Sequence, residues 1–269
     1  MDIQVRLRNT VGKTPTASMA CSGCQLQTVC FSSMGKDETP AENTITHCML
    51  ALKNKQKLCF RSMPHPTFYA LHAGTLKSTL SLGTAHGIID FHYAGELIAL
   101  HTLAPMPQTV VYEAIGDCAV CVIELNPSQL DKQALNSATA SPAQPALLWQ
   151  QMGAAISQYQ QQYVWRSHLP ALPRFIRFLL QTHTRQQAQI RLGMTAPSAN
   201  TSISYWIDLP MTRSDIANHL GLTLETVCRL LADLRQKKII EIHARQLHIV
   251  QPSAFEKLSE QREVVSNKK

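Results

Sequence analysis

Five cysteines fall into two groups whose spacing suits metal coordination. Cys21, Cys24 and Cys30 lie in the run CSGCQLQTVC, a C-x2-C-x5-C pattern, and Cys118 and Cys121 follow much later in GDCAVCVIEL. Thiolates gathered this closely are typical ligands of a zinc ion or an iron–sulfur cluster. The sequence therefore predicts a sulfur-ligated metal centre that joins two separate segments of the chain.

The other three of the eight cysteines, Cys48, Cys59 and Cys228, stand alone. A lone cysteine is more often a small buried hydrophobe than a ligand, so we expect Cys48 and Cys59 to be buried. No run of about 18 apolar residues occurs, which argues against a membrane span. The N-terminus lacks the apolar core of a secretion signal. These features predict a cytoplasmic chain whose cysteines are thiols or metal ligands rather than disulfides.

Chain length, composition and net charge limit the number of domains, the size of the core and the kind of partner. A chain of 269 residues holds one large domain or two ordinary ones, and a hydrophobic fraction of 45% allows a substantial core. The formal net charge of +7 suits a polyanionic partner but says little about the fold.

Residues 211–238 have the pattern of a helix-turn-helix. Thr212 is predicted to cap the first helix, with an aspartate three residues on in a near relative of the capping box. Ala217 is small enough to let a second helix approach, and Gly221 supplies the turn. Thr223 then caps the second helix. The run IIEIHARQLHIV follows at once and predicts two strands, which would form a wing.

The second helix is expected to present Glu225, Cys228 and Arg229 near its start. Residues in that place reach base edges when such a helix lies in the major groove. Arg229 can donate two hydrogen bonds to guanine, and Glu225 can accept one from cytosine N4. The alternative is a solvated face with a helical ion pair, since Glu225 and Arg229 are four residues apart.

Other segments position these groups. From about Phe68 to Leu125, short alternating runs punctuated by glycines indicate an antiparallel roll or barrel. Residues 126–146 are typical of a connector, 174–183 resume a helical pattern, and 190–209 hold two β-like runs around IRL and SISYWIDL.

A helix is predicted between the connector and Pro170, where Pro170 and Pro173 should break it. Its apolar residues are spaced by four, four, three and four, which places them on one face: Leu148, Met152, Ile156, Tyr159 and Tyr163. The pattern leaves open whether this face packs on its own domain or forms a dimer seam.

Four runs together resemble the superfamily of the cyclic-AMP receptor protein and the fumarate-and-nitrate-reduction regulator (CRP/FNR). YALHAGTLKS and DFHYAGELIAL resemble its roll strands and glycine turns, and LTLETVCRLL resembles its reading helix. CSGCQLQTVC has the cysteine spacing of the oxygen-sensing FNR branch. The resemblance implies an α+β fold with an N-terminal antiparallel β-roll of the cyclic-nucleotide-binding type, a long dimerisation helix and a C-terminal winged helix-turn-helix.

The resemblance also implies a division of the chain. Residues 1–60 would be a cysteine-rich cluster-binding segment and 61–146 a β-roll sensor domain. Residues 147–183 would form the dimerisation helix and hinge, and 184–269 the winged DNA-binding domain.

The oxygen-sensing branch binds a [4Fe–4S] cluster, for which four thiolates are the usual complement. Cys21, Cys24 and Cys30 would supply three of them. If DCAVCVIEL is a strand, Cys118 and Cys121 point to opposite faces, so only one of them can be the fourth ligand. By the resemblance it is Cys121, with Cys118 as the alternative. Zinc is the main competing metal.

The cyclic-nucleotide branch pairs an arginine with the ligand phosphate after a Gly-Glu turn. Gly95 and Glu96 are present, but residues 101–115 contain no arginine, so no cyclic nucleotide is expected.

In the resembling proteins the cluster assembles without oxygen and favours a homodimer. The dimer binds an inverted repeat of TTGAT-like half-sites and contacts RNA polymerase, for which the loop at 83–87 is a candidate here. Oxygen destroys the cluster and lowers DNA binding. Cys228 stands where that branch usually has serine, and a thiol donates hydrogen bonds poorly, so base selectivity at that place is open.

Two rival functions are consistent with the residues. The roll of a winged-helix regulator could instead sense haem, nitric oxide or a small molecule, with His72, His86, His92 or His101 as haem ligands. The chain could also be an iron–sulfur electron carrier. The helix-turn-helix argues against that second function, and the sequence offers no catalytic triad or phosphate loop, so we do not expect an enzyme.

Overall fold

The computed structural model describes residues 3–4, 45–59, 67–100, 110–125, 143–191 and 205–260. The chain divides into two compact units. Residues 1–154 with 192–194 form the first, and residues 155–191 with 195–269 form the second. None of the described helices is long and apolar enough to cross a membrane.

The first unit contains a seven-stranded sheet. Its strands are β1 (Ile3–Gln4), β2 (Ile45–Leu52), β3 (Lys57–Cys59), β4 (Thr67–Leu82), β5 (Ala85–Tyr93), β6 (Leu97–Ile98) and β7 (Val110–Leu125). The order is β1-β3-β7-β4-β5, with β2 paired to β7 and β6 paired to β4. Every pairing is antiparallel except that of β1 with β3. The antiparallel strand pairing predicted for 68–125 is therefore confirmed among the described residues.

The two long strands β4 and β7 form the centre of this unit. Because side chains alternate between the faces of a strand, the residues on one face of β7 enter one core, except at the exposed Gly116. Val110, Tyr112, Ala114, Cys118, Val120 and Val122 are all buried in it. Register shifts in β4 between Leu71 and Thr75 interrupt the ladder, and Gly74 lies within them with φ +90°.

Five helices and a second sheet make up the rest of the described chain. The helices are α1 (Ala143–His168), α2 (Ala171–Arg191), α3 (Arg213–Leu220), α4 (Leu224–Gln236) and α5 (Pro252–Glu260). The strands are β8 (Trp206–Asp208), β9 (Ile240–His243) and β10 (Gln246–Ile249), in the order β8-β10-β9. The predicted helix-turn-helix and its two wing strands are confirmed.

Three local predictions need correction. The first β-like run, around IRL, is wrong at Ile190 and Arg191, which end α2. Pro173 does not break a helix: it lies in the first turn of α2, where the missing N–H would have no partner within the helix. The helix α1 begins at Ala143 and so includes the last residues of the predicted connector. Pro170 does separate α1 from α2.

Candidate DNA interface and thiol positions

The start of α3 is fixed by a capping box. The Thr212 hydroxyl accepts a hydrogen bond from the backbone N–H of Asp215 at 3.0 Å, and the Asp215 carboxylate accepts one from the backbone N–H of Thr212 at 3.1 Å. This pairing satisfies N–H groups that have no partner within the helix. The cap predicted from the sequence is confirmed, and the place of the first residue of α3 is therefore well defined.

The turn between α3 and α4 depends on Gly221. This residue has φ 64° and ψ 38°, in the left-handed region, and its N–H closes α3 on the carbonyls of Ala217 and Asn218. Thr223 then caps α4 by accepting from the N–H of Thr226 at 3.1 Å. Buried Ala217 and Val227 lie on the two helices that the turn joins.

Gly221→Ala should lower the free energy of unfolding by about 1–2 kcal/mol, because an L-residue is strained in this conformation. A Cβ at this place would meet only the Arg174 guanidinium, at 3.8 Å, so strain and not collision sets the cost. Denaturant unfolding measures it. Gly87→Ala is the matched control, since Gly87 has no left-handed φ and a Cβ there meets nothing within 4 Å. An equal loss in both variants would contradict the explanation.

The exposed start of α4 carries the predicted reading residues. Glu225 and Arg229 are exposed, and Cys228 is partly exposed. Within the described chain these two charged side chains form no ion pair with each other. The helical ion pair considered as the alternative is therefore not formed, and both charged groups remain available to a ligand.

One residue of this surface was missed by sequence reasoning. The Nη1 group of Arg213, at the first position of α3, donates to Cys228 Sγ at 3.7 Å. The two residues are fifteen apart in the chain, so no local pattern could have signalled the contact.

Arg174 in α2 ties together two helix ends. Its Nη1 donates to the carbonyl of Leu220 at 2.8 Å, and its Nε and Nη2 donate to the carbonyl of Leu169 at 3.2 and 2.6 Å. Burial lowers the pKa of Arg174. The Arg174 guanidinium thus satisfies the last carbonyl of α3 and the carbonyl of the residue that follows α1, and it holds the end of α3 beside α2.

The wing has an aromatic outer face. Trp206 on β8 stacks on His248 of β10 with 4.5 Å between ring centroids, and His243 of β9 lies 5.5 Å from the same ring. The opposite face is apolar, with Ile207, Leu247 and Ile240 fully buried. This face holds the wing beside the helix-turn-helix.

Cys118 and Cys121 lie on opposite faces of β7. Cys118 belongs to the buried core, and its thiol donates to the carbonyl of Thr75 at 3.2 Å. Burial raises the pKa of the Cys118 thiol, which disfavours the thiolate that binds metal. Cys121 is partly exposed on the other face, beside Met49 of β2 and Ala70 of β4 in the ladder.

The remaining predicted thiol positions are only partly described. Cys21, Cys24 and Cys30 lie outside the described residues. Cys48 and Cys59 lie on β2 and β3, but their side chains are not among those described. Within the described ranges no group of three or more candidate metal ligands occurs.

Known proteins share the helix-turn-helix described above and resemble most of the chain. A family model described as the Crp-like helix-turn-helix domain matches residues 173–258. The transcriptional activator protein Anr of Pseudomonas protegens is 27% identical over 234 residues, which cover 86% of this chain and 89% of that protein. The anaerobic regulatory protein of Haemophilus influenzae is 25% identical over 231 residues, covering 85% and 83%.

The solved structure of FixK2 from Bradyrhizobium japonicum has a TM-score of 0.63 and 23% identity, and the match covers 81% of this chain and 99% of that one. The chain carries a Crp-like helix-turn-helix domain, and over most of its length it is similar to transcription regulators of the CRP/FNR type. The proteins that it resembles include anaerobic regulators of the FNR type, and its helix-turn-helix domain implies DNA binding. A structure of CooA from Carboxydothermus hydrogenoformans shares the fold at a TM-score of 0.58 and 16% identity, covering 84% and 93%.

The long helix α1 has an exposed apolar face. Ile156 is 55% exposed, Tyr159 43% and Tyr163 69%, and Val164 beside them is 50% exposed. Met152 is partly buried, and the side chain of Leu148 lies outside those described. The described members of the predicted face therefore do not pack into the core of their own unit.

The histidines considered as haem ligands have ordinary roles where they are described. His92 is buried, with Nε2 2.9 Å from the Ser78 hydroxyl and its ring against Tyr112. His86 pairs with Ser81 across the hairpin between β4 and β5 at 2.7 Å. His72 is half-buried, and His101 lies outside the described residues. Nothing in this arrangement favours a haem site.

Proposed function

We propose that this regulator is an oxygen-responsive homodimer that carries a [4Fe–4S] cluster and binds an inverted-repeat, TTGAT-like operator in the cytoplasm. The observation that carries the proposal is the position of Cys121, a partly exposed residue on the face of β7 opposite the buried core. The names of the similar proteins, an activator called Anr and an anaerobic regulatory protein, agree with an oxygen-linked role.

The cysteines of the sequence offer a ligand set for such a cluster. Four thiolates form its usual ligand set, and the CSGCQLQTVC run offers Cys21, Cys24 and Cys30. Cys121 completes the set better than Cys118, whose thiol is buried and bonded to a backbone carbonyl. When bound, the cluster supplies an oxygen-labile bridge between residues 21–30 and β7. A zinc ion on the same thiolates would lack this lability, because zinc has no redox chemistry.

The residues of α4 supply the sequence readout. Glu225 can accept from cytosine N4 and Arg229 can donate twice to guanine, since both side chains are exposed and form no ion pair with each other in the described chain. The hydroxyls of Thr212 and Thr223 hold backbone N–H groups. We therefore assign these two threonines the task of positioning α3 and α4 at the DNA.

The charge distribution supports the polyanionic partner. No aspartate or glutamate occurs from residue 132 to residue 207, a stretch that contains six basic residues: Lys132, Arg166, Arg174, Arg177, Arg185 and Arg191. A segment without carboxylates attracts DNA phosphates, and this part of the affinity should weaken as salt rises.

Dimerisation completes the operator site. A pair of reading helices about one DNA turn apart is required to occupy both halves of an inverted repeat. The exposed apolar face of α1 is the seam that would hold the pair.

We assign the contact with RNA polymerase to the hairpin at 83–87, next to Leu82, which is 64% exposed.

The test compares the metal content, absorption and operator binding of one anaerobic preparation before and after its exposure to air. Protein made without oxygen should contain iron and inorganic sulfide, absorb broadly in the visible range without a sharp Soret band, and bind the operator as a dimer. Exposure to air should remove the absorption and lower the affinity. A colourless, metal-free anaerobic preparation that binds as tightly as the same protein in air would overturn the proposal, and a sharp Soret band would favour haem.

A further inference from the structure

The start of the reading helix carries a guanidinium that comes from the other helix of the pair. Arg213 Nη1 lies 3.7 Å from Cys228 Sγ. Cys228 adjoins Arg229 and follows Glu225 by three residues, so all three lie around the same exposed part of α4. The Arg213 side chain therefore reaches the surface that presents to the bases.

The backbone of Arg213 is held in place by the capping box at the start of α3. It directly follows the Thr212 cap, and the capping box engages the Asp215 carboxylate with Thr212. Within the described residues no carboxylate forms an ion pair with Arg213, and the residue is exposed. Its charge is thus neither neutralised nor buried.

The Cys228 thiol and the Arg213 guanidinium differ in how well they can form hydrogen bonds with a base. A thiol is a weak hydrogen-bond donor and a weak acceptor, so Cys228 by itself distinguishes bases poorly. A guanidinium has five N–H donors, of which the weak contact with sulfur uses one. In the major groove guanine presents the acceptors O6 and N7, adenine presents N7 and thymine presents O4, so a guanidinium can distinguish bases by donating to them.

We propose that Arg213 is a specificity-determining residue that reads the base pair facing Cys228 by donating to an acceptor atom on its major-groove edge. The inference rests on α4 lying in the major groove, as the proposed function requires. Cys228 then serves as a small neighbour that leaves room for the guanidinium and helps to orient it.

The test is selection of operators from a library with randomised half-sites. The anaerobic wild type is compared with Arg213→Gln and Arg213→Lys. Both variants should lose the base preference at the position that faces Cys228, a change of roughly tenfold or more, and keep their preference elsewhere. Arg213→Lys retains the positive charge but lacks the planar fork. Its affinity should therefore depend on salt as the wild type's does, while Arg213→Gln should lose about one phosphate-equivalent of that dependence.

One control variant and one double variant distinguish base recognition by Arg213 from a general effect of its charge. Lys257→Gln removes an exposed positive charge from α5, a helix that packs against α2, and should leave every base preference unchanged. Cys228→Ser supplies a hydroxyl donor, so it should restore part of the preference that Arg213→Gln loses, and the two changes should not be additive.

The opposite result is equally clear. If Arg213→Gln weakens binding to all operators alike and Arg213→Lys restores the wild-type affinity, Arg213 contacts only phosphate and the proposal is wrong. Arg229→Ala tests the underlying assignment. If that variant also changes no base preference, the placement of α4 in the major groove fails, and the failure belongs to the proposed function.

Discussion

Cys121→Ser protein prepared without oxygen should lose iron, inorganic sulfide and visible absorption together. Its operator affinity should fall to that of the wild type after air. The reason is that Cys121 is the partly exposed thiol on the outer face of β7, and serine at a ligand position replaces a thiolate that iron prefers. Iron and sulfide analysis, absorption spectra and operator titration on one anaerobic preparation measure the effect.

Cys118→Ser is the matched control, because it makes the same chemical change three residues away on the same strand. A Cβ at Gly74 would lie 2.6 Å from Cys118 Sγ, so this part of the core is tight, and the smaller serine oxygen fits it. The hydroxyl can still donate to the carbonyl of Thr75. This variant should keep its iron and its oxygen response.

The outcomes assign the ligand. Loss of iron from Cys118→Ser but not from Cys121→Ser would make Cys118 the fourth ligand, and the core around β7 would have to open for it. Zinc without inorganic sulfide in the anaerobic wild type would replace the cluster by a structural zinc site.

The DNA-binding half of the molecule was predictable because short-range rules set it. The caps at Thr212 and Thr223 and the left-handed turn at Gly221 are each decided within four residues of sequence. Two strands around His243 to Gln246 were predictable for the same reason.

The other findings depend on tertiary contacts. Short apolar runs such as IRL fit a strand or a buried helix equally, and here Ile190 continues α2. Strand alternation predicts that Cys118 and Cys121 face opposite ways, but not which of them enters the core, since that depends on what packs over β7. The contact between Arg213 and Cys228 depends on how α3 crosses α4, which the turn between them determines.

Charging the exposed face of α1 should separate the subunits and remove most of the operator affinity. In the double variant Ile156→Glu, Tyr163→Glu, two carboxylates replace apolar side chains that are 55% and 69% exposed in the single chain. Facing copies of α1 would bring these carboxylates together, and burying them without partners is costly. The anaerobic protein should sediment as a monomer, with affinity reduced on the order of 1000-fold toward its non-specific value.

Gln161→Glu is the control, since it adds a carboxylate to an exposed position on the far side of the same helix. It should leave the dimer and its operator binding intact. The two interpretations of the α1 face, a dimer seam or packing against its own domain, predict different changes in molecular mass and unfolding temperature. A seam between subunits gives a stable monomer whose unfolding resembles that of the isolated wild-type chain, because the changed side chains already face solvent. Packing against its own domain would instead lower the unfolding temperature without changing the mass, and that pattern would rule out α1 as the dimer seam.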